Sequence, residues 1–222
     1  MEGIITTRAD LRLWQLISAA LPVGAFHYSQ GLETAVTRAW VHDADSAQHW
    51  IAAGLRYTLG GVDLPLLARI WQSWRQTDAG AVVHWDTTLR ACRETAELRA
   101  EDVAMGQALA MLADSWQERR PPQPLGYTTL FGVLAANNGI ELSATLHGYA
   151  WAWCENATLA ATRLLPLGHL QGQGVLRAVS LDIDAVVAEA LRMVDDEIGA
   201  GLPGVWMASV WHEQQYTRLY RS

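Results

Sequence analysis

The histidines and the acidic clusters are the residues of this chain with the most obvious potential for metal chemistry. Two histidines bind one metal from a helix face when they are three or four residues apart. None of the seven histidines has that spacing, because they lie at positions 27, 42, 49, 84, 147, 169 and 212. The acidic run at 195–197 is also unsuitable, since consecutive side chains on a helix point about 100° apart. The sequence therefore predicts no metal-binding residues.

Covalent catalysis requires an activated nucleophile, and the chain lacks the usual patterns for one. There is no Gly-x-Ser-x-Gly run, and Gly172-Gln173-Gly174 is not preceded by the strand that a dinucleotide-binding loop needs. All 16 basic residues are arginine, which excludes a Schiff-base lysine and a phosphate-binding lysine. The sequence favours a binding or scaffolding protein without catalytic residues. A helical small-molecule-binding protein or an enzyme of unknown substrate is the alternative.

The elements that would position these residues are helices. Apolar residues recur at steps of three and four along most of the chain, and no alternation typical of a strand exceeds four residues. We expect an all-α fold, a single-domain bundle of roughly eight to ten helices covering residues 1–222. Gly60-Gly61 is expected to end one helix and Asp63 to begin the next. The proline-rich stretch 117–124 is the best candidate for a domain boundary, but we interpret it as a connection within one domain.

Composition indicates the cellular compartment of the protein and excludes some classes of binding partner. The net charge of −7 argues against nucleic-acid binding, which depends on clustered basic residues. Cys92 and Cys154 stand alone, which is typical of a reduced, intracellular protein. No 18-residue apolar run is present to cross a membrane, and the N-terminus lacks the apolar core of a signal peptide. These features predict a cytoplasmic protein.

One stretch, residues 21–33, contains an unusual combination of helix breakers, aromatic residues and a carboxylate. Its sequence is Leu-Pro-Val-Gly-Ala-Phe-His-Tyr-Ser-Gln-Gly-Leu-Glu. Pro22 and Gly24 must interrupt the helix before it, and Ser29 is a candidate cap for the next. The simplest interpretation is a helix–helix connection whose aromatic residues enter the core and whose Glu33 is a solvated charge in the first turn. We call residues 21–33 the signature segment.

The signature segment resembles the N-terminal motif of the urease accessory protein UreF family. Further blocks resemble that family in its order and extend the match over nearly the whole chain. They are Asp63-Leu-Pro-Leu-Leu-Ala-Arg69, the charged run 93–106, Trp153-Cys-Glu-Asn156, Pro166-Leu-Gly-His169 with Gly172-Gln173, and the terminal block 212–222.

This resemblance implies an all-helical scaffold that forms a homodimer and binds UreD, which is called UreH in some organisms. Together they would recruit the GTPase UreG to apo-urease for nickel insertion. Nickel and GTP would then be handled by the partner complex, with no cofactor bound tightly by this chain. Glu33 and Gln173 would line a passage for nickel if the family's proposed role in nickel transfer applies.

The predicted partner-binding residues follow from this resemblance and from the C-terminal tail, residues 212–222. The tail is rich in tyrosine and arginine, which are common at the centres of interfaces. We expect it to be mobile in the free protein and to dock on the partners. The alternative is that it folds back onto its own domain. The predicted residues are Tyr28, Gln30, Glu33, Arg163, Gln173, Tyr216, Arg218, Leu219, Tyr220, Arg221 and Ser222.

Overall fold

The fold was analysed in a computed structural model, which describes residues 6–199 and 201–222. Within these ranges the chain forms eleven α-helices and no β-strand, which confirms the all-α prediction. The helices are α1 (Arg8–Leu16), α2 (Leu32–Thr37), α3 (Ala44–Ala53), α4 (Leu64–Arg75), α5 (Ala79–Ala91), α6 (Ala96–Ser115), α7 (Tyr127–Asn137), α8 (Leu142–Leu164), α9 (His169–Ser180), α10 (Ile183–Arg192) and α11 (Pro203–His212). Two 3₁₀ turns, Ala25–His27 and Asp195–Glu197, complete the helical structure described.

A π-helical segment, Gly54–Asp63, joins α3 to α4 without a break. The expectation that Gly60-Gly61 ends a helix is therefore wrong. The reason is packing, because a Cβ on Gly60 would lie 2.7 Å from Cγ1 of Val186 in α10. Glycine at this position allows α10 to approach the helix closely, and the helix continues through it. Counting α3 and α4 as one continuous helix gives ten in the described residues.

Helix α7 lies at the centre of the bundle. Every residue from Thr128 to Ala136 is buried, so this helix is surrounded by protein on all sides. It packs against α4 and α6, and α8 crosses α4, α9 and α10. The proline-rich stretch 117–124 connects α6 to α7, and these two helices pack directly against each other. One core cluster includes residues from Leu16 to Tyr220.

Local sequence explains where the helices near the signature segment begin. The side chain of Thr7 accepts the backbone N–H of Asp10, and the side chain of Asp10 accepts the backbone N–H of Thr7, which forms a capping box at the start of α1. Thr95 caps α6 by accepting a hydrogen bond from the backbone N–H of Leu98. The charged start of α6 is not a solvated end, because Glu101 and Asp102 are both buried.

Candidate functional site

The signature segment forms a tight corner between α1 and α2. Gly24 and Gly31 have φ values of 81° and 83°, in the left-handed region that favours glycine. A Cβ on Gly31 would lie 3.0 Å from Cβ of Ala208 and 3.2 Å from the backbone nitrogen of Ser209. Gly31 therefore serves two purposes at once, because it allows the turn and it lets α11 approach the start of α2.

Glu33 is the first key residue of the site, and it is buried at 6% exposure. Its carboxylate accepts the backbone N–H groups of Leu219 at 2.7 Å and of Tyr220 at 2.9 Å. The interpretation of Glu33 as a solvated charge is therefore wrong. Backbone N–H donors from the tail have replaced water around the acid, and hydrogen bonds to a charged acceptor are among the stronger ones.

A buried histidine extends this contact. The ring of His212, at the end of α11, has no exposed surface and lies between two acids. Its Nε2 is 3.2 Å from Oε2 of Glu33, and its Nδ1 is 2.6 Å from Oε2 of Glu97. Arg218 closes the chain of contacts by donating to the second oxygen of Glu97. Residues from α2, α6, α11 and the tail thus meet in one polar network.

The last two residues of the tail bind the signature segment directly. The backbone N–H of Ser29 donates to the main-chain oxygen of Ser222 at 2.9 Å, and the Ser29 hydroxyl donates to the same oxygen at 2.6 Å. The backbone N–H of Arg221 donates to the main-chain oxygen of His27 at 2.8 Å. The tail therefore folds back onto its own domain, which is the alternative placement considered above. Its docking on a partner stays a prediction.

Glu101 ties the end of the tail to the interior. Its Oε2 accepts the hydroxyl of Ser222 at 2.7 Å, and its Oε1 accepts the side-chain amide of Gln30, also at 2.7 Å. Gln30 in turn accepts the indole N–H of Trp153 at 2.7 Å. Burial raises the pKa of Glu101 to about 7, against the opposing effect of these hydrogen bonds. Glu101 thus changes its charge close to neutral pH.

A second buried polar cluster lies deeper, between the π-helical segment and α6. Arg93 donates to both oxygens of Asp63, one of them at 3.0 Å, and lies 4.0 Å from Asp102. The hydroxyl of Thr128 donates to Asp63 at 3.2 Å and exchanges a 2.6 Å hydrogen bond with the hydroxyl of Tyr149. Burial alone would lower the pKa of the Arg93 guanidinium, but the neighbouring carboxylates of Asp63 and Asp102 outweigh this effect and raise the pKa above its ordinary value. This cluster joins the π-helical segment, α6, α7 and α8 to one another.

The predicted site residues divide into three groups. Tyr28, Gln30, Glu33, Tyr220 and Ser222 meet at the corner, and all except Gln30 are buried. Tyr216, Arg218, Leu219 and Arg221 lie on the exposed side of the tail. Arg163 and Gln173 are exposed on α8 and α9; only Arg163 reaches the corner, through a 3.4 Å contact with the main-chain oxygen of Phe26.

Three residues of the network were missed by the sequence analysis: Glu97, Glu101 and His212. The two acids belong to the charged run at the start of α6. The only sequence signal was that this run and the terminal block both match the same family. Nothing in the spacing of these residues predicts that they meet, since 115 positions separate His212 from Glu97.

Metal-ligating side chains are not clustered in a metal-binding arrangement in the part of the chain that the structure describes. No group of three or more histidine, cysteine or carboxylate side chains there could hold a metal ion. Ser143, His147 and Asp184 lie together on the surface in an arrangement similar to a catalytic triad. However, Nδ1 of His147 lies 2.7 Å from the main-chain oxygen of Ser143 and 3.3 Å from its hydroxyl. The ring nitrogen that faces the hydroxyl is thus bonded to a carbonyl, which removes it as a base.

The fold and the site together define an all-helical protein organised around a folded-back tail. No described helix is both long and apolar enough to span a bilayer. A model of the UreF family matches residues 41–180. The chain belongs to the UreF family of urease accessory proteins.

Curated relatives support this membership over nearly the full length. The chain is 44% identical to the urease accessory protein UreF of Alkalilimnicola ehrlichii, covering 96% of both chains. It is 44% identical to UreF of Teredinibacter turnerae, covering 96% of this chain and 98% of the relative. It is 45% identical to UreF of Pseudomonas putida, with the same coverage. A match of 96% of the chain leaves room for the signature segment to be included.

Proposed function

We propose that this protein is a non-catalytic scaffold for nickel insertion that bridges UreD (or UreH) and the GTPase UreG on apo-urease. Membership of a urease accessory family supports the general role. The particular partners follow from the resemblance described above. Nickel and GTP are handled by the partner complex in this proposal, and the chain acts in the cytoplasm as a homodimer.

The observation that carries the proposal is the way the tail is presented. Glu33 fixes the backbone at Leu219 and Tyr220, while the side chain of Leu219 is 67% exposed and that of Tyr216, earlier in the tail, is fully exposed. Large side chains held on an ordered backbone bind with a smaller entropy loss than those on a free segment. Tyrosine is also over-represented among residues that dominate binding energy. This surface of Tyr216 and Leu219 is our proposed contact for UreD.

Apolar residues on other faces support self-association. Leu11 and Trp14 on α1, Met111 on α6 and Leu170 on α9 are each more than half exposed. Leu11 and Trp14 are three residues apart on α1 and share one helix face, and an exposed apolar patch favours burial against another protein. We propose that part of this surface forms the homodimer, and part binds UreG or apo-urease.

A role of Glu33 in the proposed passage for nickel would require its carboxylate to be free of its present partners. Its two oxygens already accept two backbone N–H groups and lie beside His212. Glu33 therefore contacts a passing ion only when the tail has moved away. Gln173 lies exposed on α9, and in the described residues no hydrogen bond links it to the corner. We expect no tight nickel site in the isolated protein.

The proposal is tested by mixing the purified protein with UreD and UreG and separating the mixture by size-exclusion chromatography with light scattering. We expect one peak containing all three proteins in fixed ratios, with UreG retained only when this protein is present. UreG and UreD eluting together without this protein, or this protein eluting alone, would contradict the bridging role. The same experiment separates the scaffold from the alternative, a small-molecule-binding protein or enzyme.

A further inference from the structure

His212 lies where α11 ends and the tail begins, and both of its ring nitrogens face a carboxylate. Nε2 is 3.2 Å from an oxygen of Glu33 on α2, and Nδ1 is 2.6 Å from an oxygen of Glu97 on α6. The ring has no exposed surface, and the side chains of Glu33 and Glu97 are only 8% and 14% exposed. Water has little access to these three groups, so they must satisfy one another.

The two contacts require two protons on the ring. A neutral imidazole donates through one nitrogen and presents a lone pair at the other, whereas an ionised carboxylate only accepts hydrogen bonds. With a neutral ring, one of the two contacts would place a lone pair against a negatively charged oxygen at 3.2 Å or less. In a buried network such a mismatch costs free energy. A ring with a proton on each nitrogen removes it.

The other partners of the two acids favour the ring as the place of this proton. Glu33 already accepts the backbone N–H groups of Leu219 and Tyr220. Glu97 accepts the guanidinium of Arg218 on its second oxygen. Hydrogen bonds of this kind stabilise the ionised form of a carboxyl group, so neither acid is suited to carry the proton. The charges of the network then balance, with two carboxylates against an imidazolium and a guanidinium.

We propose that His212 is a positioning residue of the tail, held as a doubly protonated ring that joins Glu33 to Glu97. Glu33 fixes the tail backbone at Leu219 and Tyr220, and the proton on the ring keeps this carboxylate in place. A histidine in water loses its second proton at about pH 6.5. The folded-back tail therefore holds a proton that a released tail gives up near neutral pH.

This difference makes the position of the tail depend on pH. Above about pH 6.5 the folded-back state binds more protons than the released state, so rising pH favours release. Because one proton is involved, the equilibrium between the two states changes by at most about tenfold per pH unit. The surface of Tyr216 and Leu219 is then best ordered at neutral pH. Only this consequence for UreD rests on the proposed function.

The ionisable groups around the ring are Glu33 from α2, Glu97 from α6, Arg218 from the tail and the neighbouring Glu213. Glu213 accepts the backbone N–H of Ala96 at 2.9 Å. Glu101 contacts the tail through the hydroxyl of Ser222, and burial raises the pKa of Glu101 to about 7. Glu101 therefore also loses a proton as the pH rises, and the test must separate its effect from that of His212.

The test is tryptic cleavage of the full chain between Arg218 and Leu219, followed by mass spectrometry at pH 7, 8 and 9. Cleavage of this bond reports the released tail, since Glu33 holds the N–H of Leu219 in the folded-back state. The rate is divided by that of a free peptide of residues 212–222 at the same pH, which removes the pH dependence of the protease. We expect this ratio to rise about fivefold or more from pH 7 to pH 9. A constant ratio would overturn the proposal.

Three variants identify the group responsible. In His212→Gln the side chain no longer titrates, so the ratio should not rise with pH. His169→Gln, at an exposed histidine of α9, is the matched control and should show the same rise as the unsubstituted protein. Glu101→Gln removes the other proton-binding group, and the rise should persist in it. A rise that persists in His212→Gln would assign the pH dependence to another group, such as Glu101, and overturn the proposal.

The protonation of the ring is measured directly by ¹⁵N NMR of the chain labelled at histidine, at pH 7.5 and without protease. We expect both ring nitrogens of His212 to show the chemical shifts of a protonated imidazole. The pattern of a neutral tautomer, with one protonated nitrogen and one unprotonated nitrogen, would overturn the proposal. This measurement uses the unsubstituted chain without UreD, so it decides even if His212→Gln fails to fold or the bridging role is wrong.

Discussion

The buried carboxylate of Glu33 accepts the backbone N–H of Tyr220 at 2.9 Å, although 187 positions separate the two residues. This contact joins the signature segment to the tail, which the sequence presents at opposite ends of the chain. His212 lies against the same carboxylate from the end of α11. The signature segment and the tail therefore form one site, and a change in either is expected to affect the other.

Substitution of Glu33 tests this coupling. In Glu33→Gln one carboxylate oxygen becomes an NH₂ group, which opposes the backbone donors of Leu219 and Tyr220. We expect the amide protons of residues 219 and 220 to exchange at least about tenfold faster, which corresponds to about 1.4 kcal/mol. Hydrogen-exchange mass spectrometry of the tail peptide measures this. Glu189→Gln, at an exposed acid of α10, is the control, and equal exchange in both variants would show that Glu33 does not hold the tail.

Some parts of this site can be predicted from the sequence, and others cannot. Local residue types predict the helix breaks at Pro22 and Gly24, and the family resemblance points to Glu33 as a functional residue. The partners of Glu33 could not be predicted, because long-range contacts leave no trace in local spacing. Likewise Gly60-Gly61 looked like a helix end, since the sequence does not reveal that α10 packs against it.

Gly31 is expected to tolerate no side chain. Gly31→Ala would place a Cβ 3.0 Å from Ala208 on a residue with φ of 83°, so a steric clash adds to the cost of a left-handed conformation. We expect a loss of about 2 kcal/mol or more in the free energy of unfolding, measured by urea denaturation. Gly174→Ala is the matched control, because it lies within α9 with no atom near the added Cβ. It should stabilise the protein by up to about 1 kcal/mol.

Glu101 should make stability depend on pH between its ordinary pKa of 4.5 and its folded value of about 7. In that range the folded protein binds more protons than the unfolded chain, so the free energy of unfolding falls as the pH rises. The full difference corresponds to at most about 3 kcal/mol. Urea denaturation at several pH values should therefore show a flatter profile for Glu101→Gln than for the unsubstituted protein. Parallel profiles would contradict the raised pKa.

The buried pair of Asp63 and Arg93 should be far more sensitive than a surface pair. Asp63→Ala leaves the guanidinium buried without its main partner, and we expect a loss of about 3–5 kcal/mol in the free energy of unfolding. Asp114→Ala, in an exposed pair with Arg120, should cost less than about 1 kcal/mol. Adding Arg93→Met to Asp63→Ala should recover part of the loss. Simple additivity of the two substitutions would show that the pair is not coupled.

The charged run that contains Arg93 and Glu101 shows why sequence reasoning stopped short of this chemistry. A helix start rich in charge usually faces water, and composition alone favours that interpretation. In this fold α7 and the tail cover it, so its acids become internal partners. The same is true of Tyr220, which the sequence presents as part of a terminal tail and which the structure places in the core cluster.

Binding of UreD to the exposed side of the tail is measured by comparing the affinity of a Tyr216→Ala/Leu219→Ala variant for UreD with that of the unsubstituted protein. Both side chains are exposed, so the melting temperature should stay unchanged. Tyr57→Ala, at an exposed tyrosine of the π-helical segment, is the control. We expect binding of the double variant to UreD to weaken by about 2 kcal/mol or more, roughly a 30-fold higher Kd, while the control binds normally. Unchanged affinity of a normally folded double variant would contradict UreD binding at this side of the tail.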